Sequence, residues 1–382
     1  MNIFISILLF IIILITFSRV WENISIKNIK YTRFTNKNIV FPEEEIMITT
    51  IISNHKFIPL PWIEIYAELP EPVKYIDQNY SYKKSINTNI YRVITSLLPY
   101  QKVTRRNKFH INKRGYYNIN NLKITIGDFI GISKGIININ SPLKIIVYPE
   151  IKDINDLIVE ENEPQGEISV RRFIISDPLA IKGVREYNLN DSFNIIDWKA
   201  TAKSNDLYVK DFDFTSESSI KIILNIQCNE KSWIDVDEDS IEKGIDISAA
   251  VMNNCIESNI PVGFSTNSIL HTDNLLTENI ISIPPEANLG IGEEILDTLA
   301  KMSMMSKVKL EDLVFEILNT YGKNTTFILI TPFLDKNTIQ LINEYIYLGY
   351  NIKLIFLRNI SNRKFLDSNV EIFNLKEMQY DL

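Results

Sequence analysis

The chain has 382 residues, 47 acidic against 40 basic, for a formal net charge of −7. That length accommodates two or three domains, and that charge excludes bulk attraction to nucleic acid, which is not expected as a partner. Two cysteines, Cys228 and Cys255, are too few for a disulfide framework and fit buried free thiols in a reducing compartment.

The first element in the chain is apolar. Ile3 to Phe17 carries no charge, and continuing to Trp21 gives roughly 20 residues, enough to cross ~30 Å of hydrocarbon. Nothing basic precedes Ile3, and Phe17 to Trp21 is too bulky for a signal-peptidase site. Residues 1–22 are therefore predicted to be an uncleaved transmembrane anchor. Arg19, Lys27, Lys30 and Arg33 follow the run, so the positive-inside rule places the bulk of a single-pass cell-membrane protein in the cytoplasm.

From 23 to 150 apolar and polar residues alternate with period two. Ile46 to Ile52, Trp62 to Tyr66, Leu122 to Ile126 and Lys144 to Tyr148 read as strands, broken by Asn, Pro and Gly, which predicts an all-β sandwich. Lys102, Arg105, Arg106, Lys108, Lys113 and Arg114 cluster around Phe109 and His110. They suit a strand edge guarded against intermolecular pairing, or an anionic surface.

The stretch 151–215 is a connecting segment with an unusual middle. Between Gly183 and Phe212 charges of both signs interleave with aromatic and aliphatic residues, unlike a solvated linker. An ordered brace between two domains is expected. Trp198 would be its buried aromatic, among Ile195, Ile196 and Leu207, and Arg185, Glu186, Asp191 and Asp197 an ion-pair network that holds geometry.

Over 216–382 strands and helices alternate. Strands are predicted at Ile220 to Ile226, Pro261 to Ser265, Thr326 to Thr331 and Ile352 to Leu357. Helices are predicted at Asp239 to Ser258, Gly292 to Met305, Leu310 to Tyr321 and Asn337 to Leu348. Such alternation predicts a parallel sheet covered on both faces, a doubly wound α/β fold. It resembles a von Willebrand factor A-like domain.

The spacing of Gly183, Arg185, Glu186, Tyr187, Asp191, Ile196, Trp198 and Ala202, with Lys199 and Lys203 beside them, resembles the signature of the bacterial family called domain of unknown function 58. Asn190, Asn194 and Lys203 stand where that family has Gly, Arg and Arg, which weakens the basic face, because an amide or an ammonium lacks the guanidinium fork. Upstream, Arg114, Gly115 and Tyr117, then Gly127-Asp128-Phe129-Ile130-Gly131-Ile132, then Val147-Tyr148-Pro149 follow the family's order, so the resemblance runs from about Asn23 to the C-terminus.

In a von Willebrand factor A-like domain a divalent cation is held by an Asp-x-Ser-x-Ser loop after the first strand. This chain has Asn225, Gln227 and Asn229 there, and Thr331 is followed by Pro332 and Phe333. Neutral amides suit a hard cation poorly, so neither metal nor cofactor is expected. Asp235, Asp237, Glu238 and Asp239 read as a helix N-terminus. His55, His110 and His271 are scattered, and Gly-x-Ser-x-Gly and phosphate-loop motifs are absent. Catalysis is therefore not expected. The resemblance implies a membrane-anchored, non-enzymatic interaction or scaffold protein acting with a MoxR-type AAA+ ATPase in chaperone-like or envelope-related work. A metal-dependent extracellular adhesin and a hydrolase using Asp191 or Asp197 are the alternatives.

Overall fold

The computed structural model describes residues 2–75, 81–85, 88–129, 134–160, 181–186, 198–199, 201, 207–212, 219–231, 236–271 and 279–376. They fall into two compact units, Met1–Glu150 and Ile151–Leu382.

The first unit opens with helix α1 (Asn2–Ser25). No Pro or Gly interrupts it, and from Phe4 to Phe17 its exposed residues are apolar apart from Ser6 and Thr16. Ten strands follow: β1 (Ile29–Thr35), β2 (Ile39–Val40), β3 (Ile46–Asn54), β4 (Leu60–Pro70), β5 (Val73–Tyr75), β6 (Ser81–Ser85), β7 (Thr88–Leu97), β8 (Lys102–Ile111), β9 (Gly115–Gly127) and β10 (Lys134–Val147). They form two sheets, β1-β3-β8-β5 and β2-β10-β9-β4-β7-β6, antiparallel apart from the β2/β10 pair. Alternate residues of both sheets point inward. Ile46, Phe109, Ile111 and Val147 fill one end of the core, and Ile52, Ile63, Ile65 and Ile124 the other. This is the expected sandwich. Lys102 to Lys108 pairs with β3 on one side, while on the other the described part of β5 reaches only Phe109 to Ile111.

The base of α1 is not a free tether. Trp21 is 7% exposed and stacks against Phe129 at 5.3 Å between ring centroids, and the buried Ser18 donates its hydroxyl proton to Asp128. On the other side of the helix end, a Cβ on Gly135 would lie 2.5 Å from Ile26 Cγ2, so glycine lets the chain approach β10. The Gly127-Asp128-Phe129 stretch thus serves as the dock for the helix.

The second unit begins with the short helix α2 (Ile154–Leu157) and strands β11 (Ile158–Glu160), β12 (Ile181–Glu186), β13 (Tyr208–Phe212) and β14 (Ser219–Leu224). Then come α3 (Glu238–Glu257), β15 (Val262–Thr266), β16 (Ser268–Leu270), β17 (Ile281–Glu286), α4 (Leu289–Lys301), β18 (Met302–Ser306), α5 (Leu310–Thr320), β19 (Thr325–Thr331), α6 (Lys336–Tyr347), β20 (Asn351–Phe356), a 3-10 turn (Ser361–Phe365) and β21 (Glu371–Leu375). One seven-stranded sheet runs β11-β21-β20-β19-β14-β15-β17. Its five inner strands are parallel, as expected, and its edges β11 and β17 are antiparallel. The inner strands are continuously buried because both faces are covered. On one face Leu313, Ile317 and Ile342 of α5 and α6 pack on Phe327, Leu329 and Leu354. On the other, α3 approaches so closely that a Cβ on Gly244 would lie within 3 Å of Leu224 and Leu357.

One expectation is corrected, and one strand was not foreseen. The helix expected to reach Met305 stops at Lys301, and Met302 to Ser306 form a strand against β16. Nothing in Met-Ser-Met-Met-Ser signals a stop; the waiting strand partner decides. Ile281 to Glu286, with Pro284 and Pro285, is an edge strand that the apolar pattern does not reveal, since proline belongs only at such edges.

Candidate functional site

The order of the parallel strands reverses at β14, which lies between β15 and β19. In an open α/β sheet such a reversal leaves a crevice beyond the strand ends, the usual place for a ligand. Here that edge is formed by the loops after β14 and β15, which carry Asn225 and Asn267, and by the end of β19, which carries Thr331.

All three side chains are fully buried. Asn225 Nδ2 donates to Gln227 O (3.0 Å) and Thr331 Oγ1 (2.9 Å), and its Oδ1 accepts from Gln227 N (3.0 Å) and Asn267 Nδ2 (2.8 Å). That exhausts two donors and two lone pairs. Asn267 also donates to Val308 O (3.1 Å) and accepts from Ile226 N (3.1 Å). Gln227 donates to Asn229 O (2.7 Å) and accepts from Leu310 N (2.9 Å), the first residue of α5. Asn229 Oδ1 accepts from Lys231 N (2.8 Å). The amides are thus spent on stitching four loops together.

A cation is already fixed beside them. Arg358 Nε donates to Pro332 O (2.8 Å), its Nη2 donates to Cys228 O, and its Nη1 lies 3.7 Å from Asp237 Oδ2. Asp237 caps α3, accepting from Ser240 N (3.1 Å) and Ser240 Oγ (2.6 Å). Burial pushes its pKa up, but the bonds from Ser240 and the nearby Arg358 charge outweigh that and leave it below the usual carboxylate value. Glu238 and Asp239 sit in the first turn of α3, as expected of that acidic run, while Asp235 lies outside the described residues. A divalent ion does not fit this edge. It would need lone pairs that are occupied and would face a fixed guanidinium. Among the described residues no three His, Cys, Asp or Glu side chains converge as a metal cluster.

The connecting segment divides differently. Gly183, Arg185 and Glu186 lie on β12, paired antiparallel with Asp211, Val209 and Tyr208 of β13. Tyr187, Asp191, Asp197 and Lys203 lie outside the described residues, and with them the expected ion-pair network. Trp198 and Lys199 are helical and exposed. Trp198 exposes 68% of its surface, which corrects its expected burial; the buried apolar residue here is Val209. Apolar neighbours in sequence do not say on which side of a turn the core lies. Thr331 was already placed at this edge by the sequence, whereas Asn267 and Arg358 escaped that reading because only the fold brings them to Asn225 and Cys228. Both cysteines are buried and free, and burial raises the Cys255 thiol to about 12.

Residues 183–288 match the family model described as protein of unknown function DUF58. That range contains Asn225, Gln227 and Asn267, whereas Thr331 and Arg358 lie beyond it. The uncharacterized protein YeaD of Bacillus subtilis is 16% identical over 243 residues, which is 63% of this chain and 56% of that protein, so the match spans little more than half of the relative. Among solved structures, a non-cellulosomal cohesin from Archaeoglobus fulgidus matches with 15% identity and a TM-score of 0.22, over 31% of this chain and 91% of that one. The sporulation control protein Spo0M from Bacillus subtilis matches with 16% identity and a TM-score of 0.20, over 32% and 50%.

Proposed function

From the premise that residues 183–288 belong to the DUF58 family, we propose that this chain is a membrane-anchored interaction protein whose α/β unit, von Willebrand factor A-like in its strand order, docks a MoxR-type AAA+ ATPase without a bridging metal. The observation that carries this reading is the closed edge of the sheet. Asn225, Asn267 and Thr331 satisfy one another where a ligand crevice would open, and Arg358 supplies a fixed positive charge there. A surface closed in this way recognises a partner by shape and by the fixed Arg358 charge, and offers a cation no open lone pairs. The adhesin alternative requires the cation that this edge does not suit.

The anchor is α1, long and apolar enough over Phe4–Ser25 to cross a membrane. A soluble part on the cytoplasmic side places the α/β unit where an ATPase works. The test is reconstitution of the full-length chain in detergent with a MoxR-type ATPase from the same cell. A complex on size exclusion that persists in EDTA, together with a changed ATPase rate, supports the reading. A complex that forms only with added Mg²⁺ bound to this chain, or no complex at all, overturns it.

A further inference from the structure

Lys221 lies within the apolar strand β14 and is fully buried. No carboxylate pairs with it among the described residues. Its Nζ instead sits against Ile283 O (2.6 Å), Phe264 O (3.2 Å), Ser282 Oγ (3.0 Å) and Tyr321 OH (3.2 Å), with the Tyr321 ring centroid 4.5 Å away. Pro284 and Pro285 bring no N–H to the ladder of β17, and in this stretch two strand carbonyls face the amine. A buried ammonium without a counter-charge is costly, so desolvation favours the neutral amine and brings Lys221 to about 7.

A neutral amine has two N–H donors and one lone pair. In that form the two carbonyls of Ile283 and Phe264 take the donors, and the lone pair faces the Ser282 and Tyr321 hydroxyls, of which Ser282 is the nearer at 3.0 Å. Ser282 is exposed on its edge strand, and its Oγ accepts from the buried Ser265 Oγ (3.1 Å). With Lys221 charged, Nζ donates to Ser282 Oγ; with Lys221 neutral, the Ser282 proton has Nζ at 3.0 Å as its nearer acceptor and Tyr321 OH at 3.4 Å as the other. Hydroxyl, base and orienting hydroxyls in mutual hydrogen-bond reach are the geometry of an activated nucleophile.

We propose that Ser282 and Lys221 form a serine–lysine dyad that accepts an acyl group from a small, uncharged ester or thioester. Ser282 Oγ attacks the acyl carbon as its proton passes to Lys221 Nζ. The tetrahedral adduct then breaks its bond to the leaving alkoxide or thiolate, which takes that proton from Nζ. The products are an ester on Ser282 and a free alcohol or thiol, with Lys221 neutral again. Phosphoryl donors are disfavoured, since a neutral Lys221 offers no cation to balance their charge. The site lies beyond the closed crevice and does not depend on the ATPase reading.

The test treats the full-length chain in detergent with p-nitrophenyl acetate and maps acetylation by peptide mass spectrometry. Acetyl on Ser282, formed at a rate that rises through pH 7 and levels above it, is the expected result. Ser282→Ala should abolish that adduct, and Lys221→Met should slow it by about 100-fold, the usual contribution of a general base. Acetyl confined to surface lysines, or a Ser282 adduct forming equally fast in Lys221→Met, overturns the dyad. Should Lys221→Met fail to fold, the pH profile of the parent decides: a Ser282 adduct with no rise near pH 7 is equally fatal.

Discussion

Asn225 has four hydrogen bonds in a fully buried position, and truncating it removes one bond each from Thr331 and Asn267 and two from the Gln227 backbone. Buried groups left unpaired cost about 1–3 kcal/mol each before relaxation. Asn225→Ala should therefore lower the stability of the second unit by about 3 kcal/mol in urea unfolding, with no recovery on adding Mg²⁺. Trp198 is the contrasting residue. With 68% of its surface exposed, Trp198→Ala should shift stability by less than about 0.5 kcal/mol in the same measurement, as surface changes do. Lys221 gives the chain a pH dependence with a definite sign. Its folded pKa of about 7 lies below the ordinary lysine value of 10.5. Between those values the unfolded chain holds the extra proton, so stability rises with pH across that window and is lowest below it, by on the order of 5 kcal/mol. Lys56, lowered to about 8 by burial, adds a slope of the same sign, whereas the raised Cys255 thiol opposes it as pH rises above 9.0. The difference between parent and Lys221→Met unfolding free energies, measured from pH 6 to 10, isolates the Lys221 contribution; a flat difference would refute it.

Helix α1 shows how one element divides between two environments. Its residues from Phe4 to Phe17 are exposed, whereas Ser18, Trp21 and Ser25 are buried against the sandwich. The undocked part of about 14 residues rises ~21 Å, less than the ~30 Å of a hydrocarbon core. A membrane around α1 must then come close to the sandwich or thin locally. Trp21 is the keystone of that joint. Trp21→Ala should cost about 3 kcal/mol, as loss of a large buried aromatic does, and should expose the chain around Glu22 to Ile26 to protease in detergent. Unchanged digestion there would mean that the stacking on Phe129 contributes nothing. Strand β17 teaches a similar lesson, since two prolines that would spoil an inner strand are tolerated at an edge.

At the scale of the whole molecule the proposed topology makes the simplest prediction. With the bulk of the chain cytoplasmic, protease added to intact cells should leave both units whole, and lysis should render them cleavable. Digestion of the folded units from outside would reverse the orientation and remove the ATPase reading. The apolar run of α1, the period-two alternation up to Pro149 and the strand–helix rhythm after Ser219 were all legible in the sequence, because each rests on local periodicity set by burial. The loss of charge at Asn225, Gln227 and Asn229 was legible too. Tertiary structure alone decided that Met302 to Ser306 is a strand, that Trp198 is exposed, and that β11 and β17 close the sheet antiparallel. It alone brought Asn267 and Thr331 to Asn225, Arg358 to Cys228, and Ser282 and Tyr321 to Lys221. Those partners are separated by 42 to 130 residues of sequence, and hydrogen bonds between distant loops leave no periodic trace in it. A lysine inside an apolar strand was the single local sign, and only its surroundings give that sign a chemistry.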